Sequence, residues 1–219
     1  MRVRFKKSFF IFIVAATSGA LAGSYEDFFS AIRQDDARTV QSLLVRGFDA
    51  NTRDPSGLHG LYLAVREPSP KVAAVLLAWS KTEIEARTLQ DESPLMIAAL
   101  NGQLDLAVRL IERGADVNKP GWTPLHYAST RGHLAMMRLL LEHHAYIDAE
   151  SPNGTTPLMM AAHYGTTDAV KLLLQDGADP MPRNQQNMTA IDFAQRAGRN
   201  DVVELIAAAI RAKQPKGVW

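Results

Sequence analysis

Alanine recurs down this chain at Ala31, Ala64, Ala98, Ala128, Ala161 and Ala194, at intervals of 33, 34, 30, 33 and 33 residues. The apolar positions keep step with it. Nine residues after the marker stand Val40, Ala107, Met137, Val170 and Val203; twelve after it stand Leu43, Leu110, Leu140, Leu173 and Ile206. Leu77 joins the second set after one inserted residue near Pro68-Ser69-Pro70. Apolar positions three residues apart share one face of a helix. A shorter apolar run surrounds each alanine, and three of these runs open on Ser-Pro or Thr-Pro: Ser93-Pro94-Leu95, Thr123-Pro124-Leu125 and Thr156-Pro157-Leu158. A hydroxyl there caps free backbone N–H groups, and proline beside it sits where no N–H is needed. Four residues past the marker come Asp35, Pro68, Gly102, Gly132, Gly165 and Gly198, a helix-ending slot in which glycine suits the left-handed conformation. Each period therefore predicts a short helix ending at that slot, then a second helix with a Val/Leu face.

The copies are unequally preserved. Thr123-Pro124-Leu125-His126-Tyr127-Ala128 is the fullest; Thr189-Ala190-Ile191-Asp192-Phe193-Ala194 and His59-Gly60-Leu61-Tyr62-Leu63-Ala64 are worn, and Phe28-Phe29-Ser30-Ala31 is the most degraded. The signature and its 33-residue period resemble the ankyrin repeat, over about residues 25–212. The resemblance implies an all-α, ankyrin-repeat solenoid of six helix-turn-helix repeats with β-turn fingers. The repeats are expected at about 24–52, 53–86, 87–118, 119–149, 150–182 and 183–213, with a tail at 214–219. The first copy is polar at its helix end (Asp35, Asp36), as expected of a terminal cap, and the last runs helically from Asp201 to Lys213. The 30-residue interval places a loss of about three residues at Lys119-Pro120-Gly121, so one finger is expected to be short.

The first 22 residues follow another rule. Arg2, Arg4, Lys6 and Lys7 precede a largely apolar run from Phe9 to Ala22, and no acid appears before Glu26. That run is shorter than the roughly 20 residues a membrane-spanning helix needs. Ala20 and Ala22 place small side chains where a signal peptidase reads, so 1–22 reads as a signal peptide with a mature start at Gly23. An uncleaved membrane anchor is the alternative. Leu21-Ala22-Gly23-Ser24 is also similar to a lipoprotein cleavage box with serine in place of cysteine. Without the leader, the net charge falls from +1 to −3. That leaves no global attraction for nucleic acid or anionic lipid, and no stable membrane insertion after cleavage is expected. The resemblance to small exported bacterial ankyrin proteins implies a periplasmic or secreted monomer.

Candidate chemistry is sparse. The chain has no cysteine, which excludes disulfides, thiol catalysis and thiolate metal sites. It carries no G-x-S-x-G, H-E-x-x-H or glycine-rich phosphate loop. Adjacent His143 and His144 point about 100° apart on a helix, a poor geometry for one metal. No cofactor, no metal and no catalytic residue is therefore expected. Asn153-Gly154-Thr155 and Asn187-Met188-Thr189 match a short glycosylation pattern that is frequent by chance. His126 resembles the family's structural hydrogen-bonding histidine.

What remains is a surface. The resemblance implies a concave groove of finger tips and first-helix ends that binds a folded protein partner. On it would lie Arg33, Arg66, Leu100, Asn101, Thr130, Arg131, His163, Tyr164 and Arg196, with Leu89, Gln90, Glu92, Trp122, Thr155 and Met188 from the fingers. Leu100, Trp122 and Tyr164 have hot-spot composition, although the Gly-Trp-Thr-Pro-Leu-His context of Trp122 also occurs as ordinary packing in the family. The arginines read two ways, as a cationic row for an acidic partner or as cations suited to the negative ends of helices. The expected function is a non-enzymatic protein-protein interaction module, with a host-directed effector and an unrecognised enzyme as the alternatives. Mass spectrometry of the exported protein is expected to find Gly23 as its first residue; an intact Met1 start in the membrane fraction would refute the leader.

Overall fold

The computed structural model describes residues 23–213, so the peptidase-site residues Ala20 and Ala22 and the tail at 214–219 lie outside the described residues. The chain divides into two compact units, one ending at Glu83 and one beginning at Ile84. In the first, α1 (23–33) is followed by α2 (Ala37–Val45), α3 (Gly60–Arg66) and α4 (Pro70–Ala78). The second holds four helix pairs: α5 (Pro94–Asn101) with α6 (Leu104–Glu112), α7 (Pro124–Arg131) with α8 (Leu134–Glu142), α9 (Pro157–Tyr164) with α10 (Thr167–Gln175), and α11 (Ala190–Arg196) with α12 (Asn200–Lys213). Within it the first helices pack in succession, α5 on α7, α7 on α9 and α9 on α11, and the second helices form another layer. This is the all-α repeat architecture that the periodicity predicts. Among the described residues the single extended pairing is a bridge between Arg53 and His59.

The marker alanines explain the close packing. All six are buried, and four of them (Ala98, Ala128, Ala161 and Ala194) are wholly so, because only a methyl fits where neighbouring helices approach. Leu110, Leu140, Leu173 and Ile206 fill the second layer and are likewise inaccessible. Val203, in the last described repeat, is half-buried. In the degraded first copy, aromatic bulk replaces the signature. The Phe28 ring lies 4.8 Å from that of Phe48 and 5.2 Å from that of Phe29, so close to α3 that a Cβ on Gly60 would stand 2.8 Å from it.

Among the helix-ending glycines, Gly165 departs from the left-handed expectation. Gly102, Gly132 and Gly198 adopt the left-handed conformation and Asp35 joins them at φ 53°, whereas Gly165 is extended at φ −81°, ψ −165°. Its constraint is space. A Cβ there would collide with the Ser129 carbonyl oxygen and stand 2.9 Å from Ala161 Cα. The extended backbone in turn lets Thr166 cap α10, its hydroxyl accepting from Ala169 N–H at 3.1 Å.

Two sets of hydrogen bonds tie repeat to repeat within each unit. Asn51, Glu85, Asn118 and Asp148 occupy equivalent places, and each accepts a backbone N–H from the next repeat: Glu83 (2.9 Å), Asp116 (2.9 Å), Tyr146 (2.7 Å) and Asp179 (3.0 Å). Burial pushes the Glu85 and Asp148 carboxyls above the usual carboxylate range. The second set uses histidine. His126 Nδ1 accepts from the Thr123 N–H (3.1 Å) and hydroxyl (2.8 Å), while its Nε2–H donates to the Thr155 carbonyl one repeat on at 2.8 Å. His59 caps α3, accepting from Leu61 N–H at 3.1 Å and donating to Asn51 Oδ1 at 3.0 Å. Ser93, Thr156 and Thr189 cap their helices as expected, but the Thr123 hydroxyl serves the histidine instead.

Both rings are held neutral. Burial lowers His59 and His126 from 6.5 to about 4. The unfolded chain takes up protons between those values that the folded chain refuses, so the stability they confer is complete above about pH 6.5 and is lost as pH falls towards 4. The loss is on the order of 3 kcal/mol per histidine. Urea unfolding at pH 7 and pH 5 is expected to show it. The His126→Gln chain, whose amide can still accept from Thr123, should be less stable at pH 7 yet lose less on acidification; an equal pH dependence in both chains would contradict the assignment.

Candidate functional site

The fingers are built on one plan, and it decides which of their residues face outward. In four of them, five residues close a hairpin: Asp54–Leu58, Thr88–Glu92, Ser151–Thr155 and Asn184–Met188. The first residue's N–H donates to the fifth carbonyl at 2.9–3.1 Å, and the fourth N–H returns to the first carbonyl at 2.8–3.0 Å. The first side chain is an acceptor turned into the loop, as in Asp54 Oδ1 receiving Ser56 and Leu58 N–H, or Asn184 Oδ1 receiving Gln186 and Met188 N–H. The fourth residue takes positive φ: Gly57, Asp91, Gly154 and Asn187. The fifth position thus closes the base, and the second and third form the tip.

That plan corrects two expected contact residues. Thr155 and Met188 stand at the fifth position and are only 2% and 7% exposed. The Thr155 backbone carbonyl is the acceptor for His126, and burial leaves neither side chain available to a partner. Glu92 shares the position but is longer and half-buried, and its carboxylate accepts from the Tyr127 hydroxyl at 3.0 Å. At the second and third positions Leu89 is 89% exposed and Gln90 is exposed. Trp122 is half-buried with its ring edge-on to His126 at 5.2 Å.

The helix ends carry the remaining candidates of this unit. Asn101, Arg131 and Arg196 are exposed, and Leu100 is half-buried with its carbonyl held by His133 Nε2 at 3.1 Å. The Thr130 hydroxyl is spent on the His126 carbonyl at 2.8 Å. His163 is half-buried, and its Nδ1–H donates to the Phe193 carbonyl at 3.0 Å. Tyr164 beside it is 60% exposed, its ring edge-on to that of His163 at 4.2 Å. In the first unit Arg33 and Arg66 are exposed, but Arg66 pairs with its neighbour Glu67 at 2.8 Å and lies 6.0 Å from the Tyr62 ring. A surface pair of this kind contributes little, yet it occupies the charge.

Lys119 is the residue that sequence reasoning missed. It stands in the shortened finger, where the missing residues leave no room for the five-residue hairpin, and its side chain is 3% exposed. Its three N–H donors meet three acceptors: the Pro120 carbonyl (3.0 Å), the Trp122 carbonyl (3.1 Å) and Asp91 Oδ2 of the preceding finger (2.5 Å). Arg87 reaches the same Asp91 carboxylate at 3.6 Å. The ammonium thus supplies the donors that backbone N–H groups supply elsewhere and ties two tips together. The available signal was the lysine itself, standing where the residues are lost.

Paired short helices, hairpin fingers and buried histidines spent on backbone define a repeat protein. A family model for ankyrin repeats in three copies matches residues 28–120, 61–151 and 145–215, and the chain belongs to that family. The crystal structure of an ankyrin repeat domain from Acinetobacter baumannii superposes with a TM-score of 0.72 at 25% identity, covering 83% of this chain and 96% of that one. An ankyrin repeat-containing protein of Treponema pallidum is 33% identical over 55% of this chain and 41% of its own length. Human ankyrin repeat domain-containing protein 39 is 43% identical over 27% of this chain and 34% of its own. The glycerophosphocholine phosphodiesterase gde1 of Schizosaccharomyces pombe is 32% identical over 43% of this chain but only 9% of its own. The chain spans less than half the length of the curated relatives it matches. Ankyrin repeats are in general protein-protein interaction modules, and the fold is typically non-enzymatic.

Replacing Lys119 by methionine keeps the bulk and removes the donors. Two carbonyls then lose their donor while Asp91 keeps Arg87, at a cost of about 2 kcal/mol. Urea denaturation is expected to show that loss; an unchanged midpoint would mean that the finger holds its shape without the ammonium.

Proposed function

We propose that this chain is an exported, non-enzymatic binding module that engages a folded protein partner through the second unit. The contact surface comprises the Leu89 and Gln90 finger tip, Trp122, and the helix ends at Leu100, Asn101, Arg131 and Tyr164. One observation carries the reading. Leu89 and Tyr164, two large side chains, are left 89% and 60% exposed on elements whose other large apolar side chains are mostly buried. Exposed aromatic and aliphatic groups ringed by polar ones are the usual make-up of interaction hot spots. Export, to the periplasm or beyond, rests on the leader at 1–22.

The buried titratable groups support the non-enzymatic part. His59 and His126 have both ring nitrogens engaged in capping and bridging bonds. A general base needs a free nitrogen within reach of a substrate proton.

Envelope and culture-medium extracts passed over the immobilised protein are expected to yield a retained protein. The Leu89→Ser/Tyr164→Ala chain should retain it about tenfold less, the scale of a hot-spot loss. Equal retention by both chains, with matching thermal unfolding, would refute the proposed surface.

A further inference from the structure

Two helices of the second unit end on arginine, α7 on Arg131 and α11 on Arg196, and α9 between them ends on His163-Tyr164. The helices pack side by side, α7 on α9 and α9 on α11; counted from the marker alanines, Arg131 shares its slot with Tyr164, and Arg196 stands one residue earlier, in the slot of His163. Arg131 and Arg196 are exposed and make no hydrogen bond or ion pair among the described residues. Between them Tyr164 offers one open face, its ring steadied from the side by His163, which the Phe193 carbonyl holds.

The acids of the same fingers and helices are largely turned to donors of the chain itself. Asp91 is taken by Lys119 and Arg87, and Glu92 by the Tyr127 hydroxyl. Asp192 accepts from the Thr189 N–H and hydroxyl at 2.7 Å each, which holds its carboxyl below the usual range. Glu150 is the exposed finger acid without such a partner. Arg131 and Arg196, the latter near enough to Asp192 to help hold that carboxyl low, thus flank an open aromatic ring.

We propose that this surface docks an extended acidic segment of a partner protein, with carboxylates on Arg131 and Arg196 and an aromatic side chain on Tyr164. The proposal rests on the reading that the second unit binds protein, and adds the chemistry of what is bound. Spacing defines the segment further. Neighbouring helix axes lie about 8–10 Å apart, which puts the ends of α7 and α11 about 16–20 Å apart. An extended chain rising about 3.3 Å per residue covers that distance in about six residues. The segment therefore carries acids about six residues apart with an aromatic residue near the middle. Cations also suit the negative end of a helix, which accounts for arginine at these sites but not for the exposed tyrosine between them.

Fluorescein-labelled copolymers of glutamate and tyrosine, of lysine and tyrosine, and of glutamate alone are the probes, with binding to the whole chain read by anisotropy. The glutamate–tyrosine copolymer is expected to bind about tenfold tighter than the lysine–tyrosine one and measurably tighter than polyglutamate, with the advantage shrinking as salt rises. Arg131→Glu with Arg196→Glu should weaken it about tenfold. Arg109→Glu with Arg138→Glu, an equal change in net charge on α6 and α8, should leave it within about twofold. Arg131→Gln with Arg196→Gln repeats the test if the reversed pair fails to fold. Equal weakening by both reversed pairs, or no preference for the acidic copolymer, overturns the proposal. Retention of the captured partner by the Arg131→Glu/Arg196→Glu chain would overturn it too while leaving the binding-module reading intact; no retained partner for any chain would overturn that reading itself.

Discussion

Each repeat leaves open backbone N–H groups that the repeat before it must accept, and the rest of the structure depends on that reach. Asn51, Glu85, Asn118 and Asp148 each extend one oxygen to the next repeat's backbone, at 2.7–3.0 Å. The reach is kept although acceptor and donor lie 28 to 32 residues apart along the chain, the shortest across the shortened finger. The acceptor stands in this place even where burial disfavours its charge, as at Glu85 and Asp148. The marker alanines serve the same end by letting the helices come close enough for the reach to succeed.

The same slot is filled by different chemistry in successive repeats without changing the fold. At the third residue of the first helices of the second unit, Met96 and Met159 offer sulfur to the capping N–H, His126 offers a ring nitrogen and Asp192 a carboxylate. What must be constant is an acceptor at that height. The consequence differs, however: the histidine makes its repeat sensitive to acid, the methionines do not, and the aspartate brings a fixed charge to the last repeat. The shortened finger goes further, replacing backbone donors with the Lys119 ammonium.

Function falls to what this framework leaves over. With the buried histidines and most finger acids turned to backbone or to one another, Leu89, Tyr164, Arg131 and Arg196 are among the side chains left exposed on the second unit. Arg66 looked equivalent in the sequence but is paired with Glu67. Position in a repeat says where a side chain stands; its neighbours decide whether it is free.

Helix order, the burial of Ala98 through Ala194 and the roles of Ser93, Thr156 and His126 were legible in the residues, because a 33-residue period repeats the same local contacts and each copy reinforces the others. The sequence also determined that one finger is short. Tertiary structure alone decided that Gly165 is glycine for want of space rather than for a left-handed turn, since the Ser129 carbonyl that excludes a Cβ comes from the preceding repeat. It alone turned Thr155 and Met188 inward, because the fifth position closes a hairpin whose bonds the sequence does not display. Lys119 belongs with them. A lysine beside a deletion reads as exposed until Asp91 and two carbonyls, from two fingers, are seen to converge on it. Local pattern fixes which way a backbone runs, and only packing fixes what each side chain meets.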